Sequence, residues 1–233
     1  MAEPGSLGSI IAPIHKAGWP FIAIFFAVAV VLGFLWQPLF WLGLVATLWC
    51  VFFFRDPPRT TPIAPGLVTS PCDGMVAATT PRVPPPELGL GSEPLPCIGI
   101  FMNVFDVHVN RTPVPGRVLA RAYHQGKFVN ASFDKASDEN ERQSFRIETA
   151  DGSEVGIVQI AGLVARRIIA FVEEGAALAP GQRIGLIRFG SRCDVYLPRH
   201  VQPVVLPGQR AIGGETVIAH LDGPQTPRLG RTD

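Results

Sequence analysis

Between Ala17 and Phe54 the chain has no charged residue, and over its whole length the charges nearly cancel, 20 Lys and Arg against 19 Asp and Glu. A net charge of +1 gives no reason to expect a nucleic-acid partner. Cysteine is scarce: Cys50, Cys72, Cys97 and Cys193 show no CxxC spacing and no paired histidine ligands. A zinc site is unsupported, no metal is expected, and reduced cytoplasmic thiols are the simpler state. Outside the apolar segment no helical period exceeds two turns, which excludes a helical bundle.

What the amino-terminal region does have is two apolar runs, Trp19 to Trp36 and Pro38 to Phe54, of 18 and 17 residues, separated by Gln37. At about 1.5 Å per residue each reaches roughly 26 Å, just short of a hydrocarbon core of about 30 Å. Two short spans and a hairpin dipping into one leaflet both fit. A cleaved signal peptide would show one shorter block before a small-residue site, whereas a second block follows here at once. A buried core hairpin would carry a polar stripe, and these runs have none. Lys16 precedes the pair and Arg55 and Arg59 follow it, which places both ends on the cytoplasmic side. Trp19, Trp36, Trp41 and Trp49 include residues near the ends, where interfacial anchors stand. The expected location is the cell membrane, with the rest of the chain in the cytoplasm.

After Phe54 the pattern changes to short β-type segments broken by Pro and Gly, an all-β reading. Expected strands are Gly74–Ala78, Cys97–Met102, Val107–Asn110, Gly116–Ala122, Phe145–Thr149, Val155–Ile160, Ile168–Phe171, Arg183–Arg188, Asp194–Leu197 and Thr216–Ala219. The stretch Pro81 to Pro96, with six prolines, reads as a surface loop, and Asp134 to Arg142 as one short helix or an ordered loop. The organisation is then an amino-terminal segment 1–18, a membrane hairpin 19–54, a β domain 55–220 and a disordered tail 221–233.

Gly190-Ser191, in the run Ile187-Arg188-Phe189-Gly190-Ser191-Arg192-Cys193-Asp194, carries the most specific chemistry. A serine hydroxyl attacking the preceding carbonyl converts the peptide to an ester, and β-elimination then leaves a dehydroalanine that hydrolyses to a pyruvoyl group. That ketone forms a Schiff base with a substrate amine and draws electrons from its α-carbon, the work done elsewhere by pyridoxal phosphate. A tight turn at a strand end is the other reading of the same pair. Cys193 is a rival nucleophile by position, though strand alternation makes it a packing residue. His108 is a candidate base, or a satisfied core histidine.

Ser70-Pro71-Cys72-Asp73-Gly74, Phe105-Asp106-Val107-His108-Val109-Asn110, Tyr123-His124-Gln125-Gly126-Lys127-Phe128, Asp134-Lys135-Ala136-Ser137 with Glu139-Asn140-Glu141-Arg142, and Ala161-Gly162 through Ala165-Arg166-Arg167 occur together and in order. As a set, from about Arg55 to Tyr196, they resemble the phosphatidylserine decarboxylase proenzymes, in the short form whose cleavage dipeptide lies in Phe-Gly-Ser-Arg. The resemblance implies a membrane-anchored, self-processing enzyme that decarboxylates phosphatidylserine to phosphatidylethanolamine through a pyruvoyl group made from Ser191, with no pyridoxal phosphate and no metal. Cleavage between Gly190 and Ser191 would leave a large β chain, 1–190, and a small α chain, 191–233, as a heterodimer open to further oligomerisation. The strand after Ser191 is expected to pair in the same sheet as the strand before Gly190.

The resemblance also implies roles for His108 in proton transfer and Asp73 as partner of the base. Longer relatives place a second histidine where this chain has Arg111, so either His108 serves both self-cleavage and decarboxylation or another group replaces the missing base. His124 is a candidate for the head-group pocket, and Arg166 and Arg167 for the substrate's phosphate or carboxylate. As strand neighbours those two arginines are expected on opposite faces. The segments Ser70 to Gly74 and Pro180 to Gly185 also resemble turns of the flattened β-sandwich or barrel of lipoyl and biotinyl carrier domains. Carriers need a lysine at a hairpin tip, and none stands in a matching context. A pyruvoyl decarboxylase of another amine and a membrane-tethered β-sandwich binding module with an inert Gly-Ser turn are the competing readings.

Overall fold

The computed structural model describes residues 12–126, 140–162, 167–188 and 191–222. The chain divides into two compact units, residues 1–58 and 59–233.

In the first unit, a 3-10 turn at Lys16–Gly18 leads into α1 (Trp19–Leu35), and α2 (Gln37–Phe53) follows after Trp36 alone. Each helix has proline in its first turn, where the missing N–H costs nothing. Trp36 is extended, at φ −164° and ψ 121°, and reverses the chain. Close packing of the helices depends on glycine: a Cβ at Gly43 would stand 2.5 Å from that of Ala29, and one at Gly33 2.9 Å from that of Phe40. The His15 N–H donates to the Phe54 carbonyl at 2.8 Å and the Asp56 N–H to that of Pro13 at 2.7 Å, so the two ends of the hairpin meet. Phe26, Val31, Phe34, Leu42, Val45 and Leu48 are exposed along it. So continuous an apolar surface points to association with a membrane. Among the described residues one helix, Lys16–Leu35 with its leading turn, is long and apolar enough to cross one.

Among its described residues the second unit is β apart from a 3-10 turn at Pro86–Leu88. Its strands are β1 (Leu67–Thr69), β2 (Gly74–Ala78), β3 (Cys97–Met102), β4 (Val109–Arg111), β5 (Gly116–His124), β6 (Arg142–Glu148), β7 (Glu154–Ala161), β8 (Ile168–Ala170), β9 (Ala177–Leu178), β10 (Arg183–Ile187), β11 (Ser191–Tyr196), β12 (Arg210–Ala211) and β13 (Val217–His220). They form an eight-stranded sheet in the order β12-β2-β3-β11-β7-β6-β5-β9, a three-stranded sheet β4-β10-β8 and a pair β1-β13. Alternation sends Val76, Ile98, Ile100, Cys193, Val195, Ile157 and Phe145 to one face of the large sheet, where they join Ile184 and Ile187 of β10 in a single core. This is the all-β architecture with an amino-terminal apolar helical segment that the composition and spacing predict.

Several boundaries differ from expectation. Strand β4 begins at Val109 and not Val107, β11 begins at Ser191 and not Asp194, and Arg142 opens β6; residues 134–139 lie outside the described ones. The short strands β1, β9 and β12 have no counterpart in the expected set, because two or three residues cannot show an alternation. Leu221 is not part of a loose tail: it is buried, and its N–H donates to the Gly66 carbonyl at 2.8 Å. Residues 223–233 lie outside the described ones.

Two corrections bear on the site. The proline-rich stretch is a cover and not merely a surface loop: Leu88 and Leu95 pack on Cys97, Val158, Ile160 and Tyr196 across the second face of the large sheet. There Glu87 accepts from Arg142 at 2.6 Å, and Arg192 pairs with Asp194 at 2.5 Å, both side chains of the latter pair buried. Second, β10 and β11 do not share a sheet. The chain leaves the three-stranded sheet at Ile187 and enters the middle of the large one at Ser191, because both ladder positions between β3 and β7 are filled by β11.

Candidate active site

Ser191 opens β11 between Met102 of β3 and Ala161 of β7, and it is fully buried. Its hydroxyl donates to the Met102 sulfur at 3.7 Å, a weak acceptor. Phe189 and Gly190, the other half of the expected cleavage site, lie outside the described residues. Cys193, two residues on, points to the same face and is buried in the core with Cys72. Burial, and next the hydrogen bond with Cys193, push the Cys72 thiol well up, which keeps it protonated and inert.

His108 is fully buried immediately before β4. Its Nδ1 lies 3.0 Å from the Asp106 carbonyl oxygen. A carbonyl only accepts, so a neutral imidazole held there carries its proton on Nδ1 and presents the Nε2 lone pair. The turn behind it is rigid: the Asp106 N–H donates to the Asn103 carbonyl at 3.0 Å, the Asn103 N–H to the Asp106 carboxylate at 2.8 Å, and Arg210 pairs with the other carboxylate oxygen. The His108 carbonyl accepts from the Ile187 N–H at 3.2 Å, which ties it to the end of β10, the strand that leads to Ser191.

Asn110 lies in β4, two residues beyond His108, and its Nδ2 donates to the Met102 sulfur at 3.6 Å, the atom the Ser191 hydroxyl also touches. Gln159 of β7 donates from Nε2 to the Asn110 Oδ1 at 2.6 Å. The structure thus brings together Ser191, Met102, Asn110 and Gln159. Met102, Asn110 and Gln159 are not among the expected site residues, although alternation through Val155, Ile157 and Gln159 already turns a polar side chain into the core.

The other described candidates lie on or beside several different strands. The Asp73 carboxylate accepts from Arg59 at 2.6 Å and from the Gly213 N–H at 2.8 Å, which fastens the turn that opens β2. Arg111, at the place of the second histidine, is buried and donates to the Gly181 carbonyl at 2.9 Å, a strut across a turn. His124 ends β5, exposed, across from Arg142. Arg167 is exposed just before β8 and not within a strand, and its carbonyl accepts from the Arg188 N–H at 3.3 Å; Arg166 lies outside the described residues. Burial and then the Arg167 charge hold the Arg188 guanidinium below its usual range. Among the described residues no group of three His, Cys, Asp or Glu could hold a metal. A cavity of about 300 Å³ between Ala64, Leu67, Val114, Thr149 and Leu221 contains none of these residues.

The family described as phosphatidylserine decarboxylase matches residues 46–219, a span that includes every strand named above except the last residue of β13. A phosphatidylserine decarboxylase proenzyme of Cereibacter sphaeroides is 53% identical over 224 residues, covering 96% of this chain and 97% of that one. With a match over most of the chain and identity at that level, the chain belongs to the phosphatidylserine decarboxylase family.

Proposed function

We propose that the chain is a self-processing enzyme that decarboxylates the serine head group of phosphatidylserine to phosphatidylethanolamine and carbon dioxide. Family membership supports the reaction. The observation that carries the mechanism is a buried serine at the point where the chain crosses between sheets, with His108 tied by its carbonyl to the end of the strand that leads there. Ser191 is the nucleophile, and His108, with its Nε2 lone pair set by the Asp106 carbonyl, is the base that takes its proton. A pyruvoyl group formed at Ser191 would supply the electron sink for the substrate's α-carbon, with no pyridoxal phosphate and no metal. The position fits such a group, because the first residue of β11 is held by ladders on both sides and is closed to water. After carbon dioxide leaves, His108 returns a proton to the α-carbon. Arg166, Arg167 and His124 belong to the head-group side, where a guanidinium suits the phosphate.

The mature enzyme is a heterodimer of residues 1–190 and 191–233, held at the cytoplasmic face of the cell membrane by the hairpin. A diacyl substrate does not cross water readily, so a site held at the interface meets it directly. Intact-mass measurement of the purified chain tests this. Two fragments are expected, the smaller beginning with pyruvoyl and not serine, along with carbon dioxide release from phosphatidylserine vesicles. A single uncut chain without activity would favour the binding-module reading; two fragments with activity on a soluble amino acid alone would favour a different amine substrate.

A further inference from the structure

Asn110 and Gln159 are both fully buried, and they bridge the two sheets. Asn110 pairs with Gly185 of β10, and that glycine makes the bridge possible: a Cβ there would lie 2.7 Å from the Gln159 Nε2. Gln159 fixes the Asn110 amide through the 2.6 Å bond to Oδ1, which leaves Nδ2 directed at the Met102 sulfur beside the Ser191 hydroxyl. Two features go beyond what packing asks for. The Gln159 Oε1 makes no hydrogen bond among the described residues, a cost that an apolar side chain would avoid. And the Asn110 N–H is spent on a thioether, a partner it loses little by leaving when an oxygen takes its place.

Resting on the self-processing reading, we propose that Asn110 is a further catalytic residue: its Nδ2–H donates to the Ser191 oxygen during cleavage, and Gln159 is its positioning residue. Negative charge develops on that oxygen twice. In the acyl shift the hydroxyl gives its proton to the base, Oγ bonds to the Gly190 carbonyl carbon, the Gly190–Ser191 C–N bond breaks, and the freed Ser191 nitrogen takes a proton. In the elimination a base removes the Ser191 α-proton, the Cβ–Oγ bond breaks, and the same oxygen departs as part of the Gly190 carboxylate. Neither step changes the overall redox state. One fixed amide N–H therefore serves an alkoxide first and a carboxylate second.

The test follows cleavage of the freshly synthesised full-length chain by intact mass over time, across a pH series. Asn110→Asp keeps the acceptor for Gln159 but offers a proton only when protonated. Its rate is expected to fall on the order of 100-fold below wild type at alkaline pH, the usual loss for one oxyanion donor, with the ratio closing as pH falls. A constant ratio near one across the series would overturn the proposal. If the aspartate variant does not fold, Asn110→Ser, which keeps a donor, must cleave faster than Asn110→Val, and equal rates would overturn it too. A wild-type chain that never cuts would instead defeat the self-processing reading itself.

Discussion

His108 is the residue on which the proposed chemistry turns, and its geometry narrows its role. In the proposed mechanism Nδ1 stays on the Asp106 carbonyl while Nε2 takes the serine proton, and Arg111 serves as a strut to Gly181. His108→Ala is therefore expected to remain one uncut chain, with cleavage slowed by about 10²- to 10⁴-fold, the span usual for a general base. Full processing with lost decarboxylation would restrict it to the later proton transfer. Asp73 poses a second question, since the family resemblance makes it a partner of the base while its carboxylate holds Arg59 and the Gly213 amide. Asp73→Asn is expected to block cleavage and Arg59→Ala to leave it intact, with a stability loss of about 1 kcal/mol from a mostly buried pair. Equal cleavage in both variants would make Asp73 an anchor only. Ser191 and His108 can be proposed from the sequence because they sit in ordered motifs. Asn110 and Gln159 are less so, because their meaning lies in a sulfur contributed by another strand.

At the scale of elements, alternation locates ten of the thirteen described strands to within a few residues, since each buries one face on the core. Sheet membership is a different matter. Nothing local distinguishes β10 from β11, and their assignment to separate sheets follows from partners far along the chain. The cover over the second face is hidden for a similar reason: prolines announce a loop but not what Leu88 and Glu87 rest on. Burial pushes the Glu87 carboxyl up, but the Arg142 and Ser144 hydrogen bonds outweigh it and hold the group below its ordinary value of 4.5. A lowered folded value means stabilisation that is full above that ordinary value and is lost as pH falls through the lower one. Glu87→Gln is expected to lower stability by about 1 kcal/mol at neutral pH and by nothing at strongly acid pH. Urea midpoints at the two pH values check it, and a gap that persists in acid would show that the pair acts through packing.

For the whole molecule, the placement of β11 would make the proposed self-cleavage a one-way event. Among the described residues, the three strands from Ser191 onward, β11, β12 and β13, have their partners upstream of it, at β3 and β7, β2, and β1. While the backbone is continuous, insertion of β11 is an intramolecular closure whose entropy cost grows only slowly with length. Once the bond is cut, the same insertion requires two molecules to meet and a central strand to enter a sheet already formed. The uncut Ser191→Ala chain is therefore expected to recover its structure after dilution from denaturant at any protein concentration, whereas the cut enzyme should recover poorly and better when concentrated. Recovery of the cut enzyme equal to that of the variant, and independent of concentration, would contradict this. A catalyst built in this way has a lifetime in place of a folding equilibrium: each copy unfolds once, and its replacement has to be synthesised.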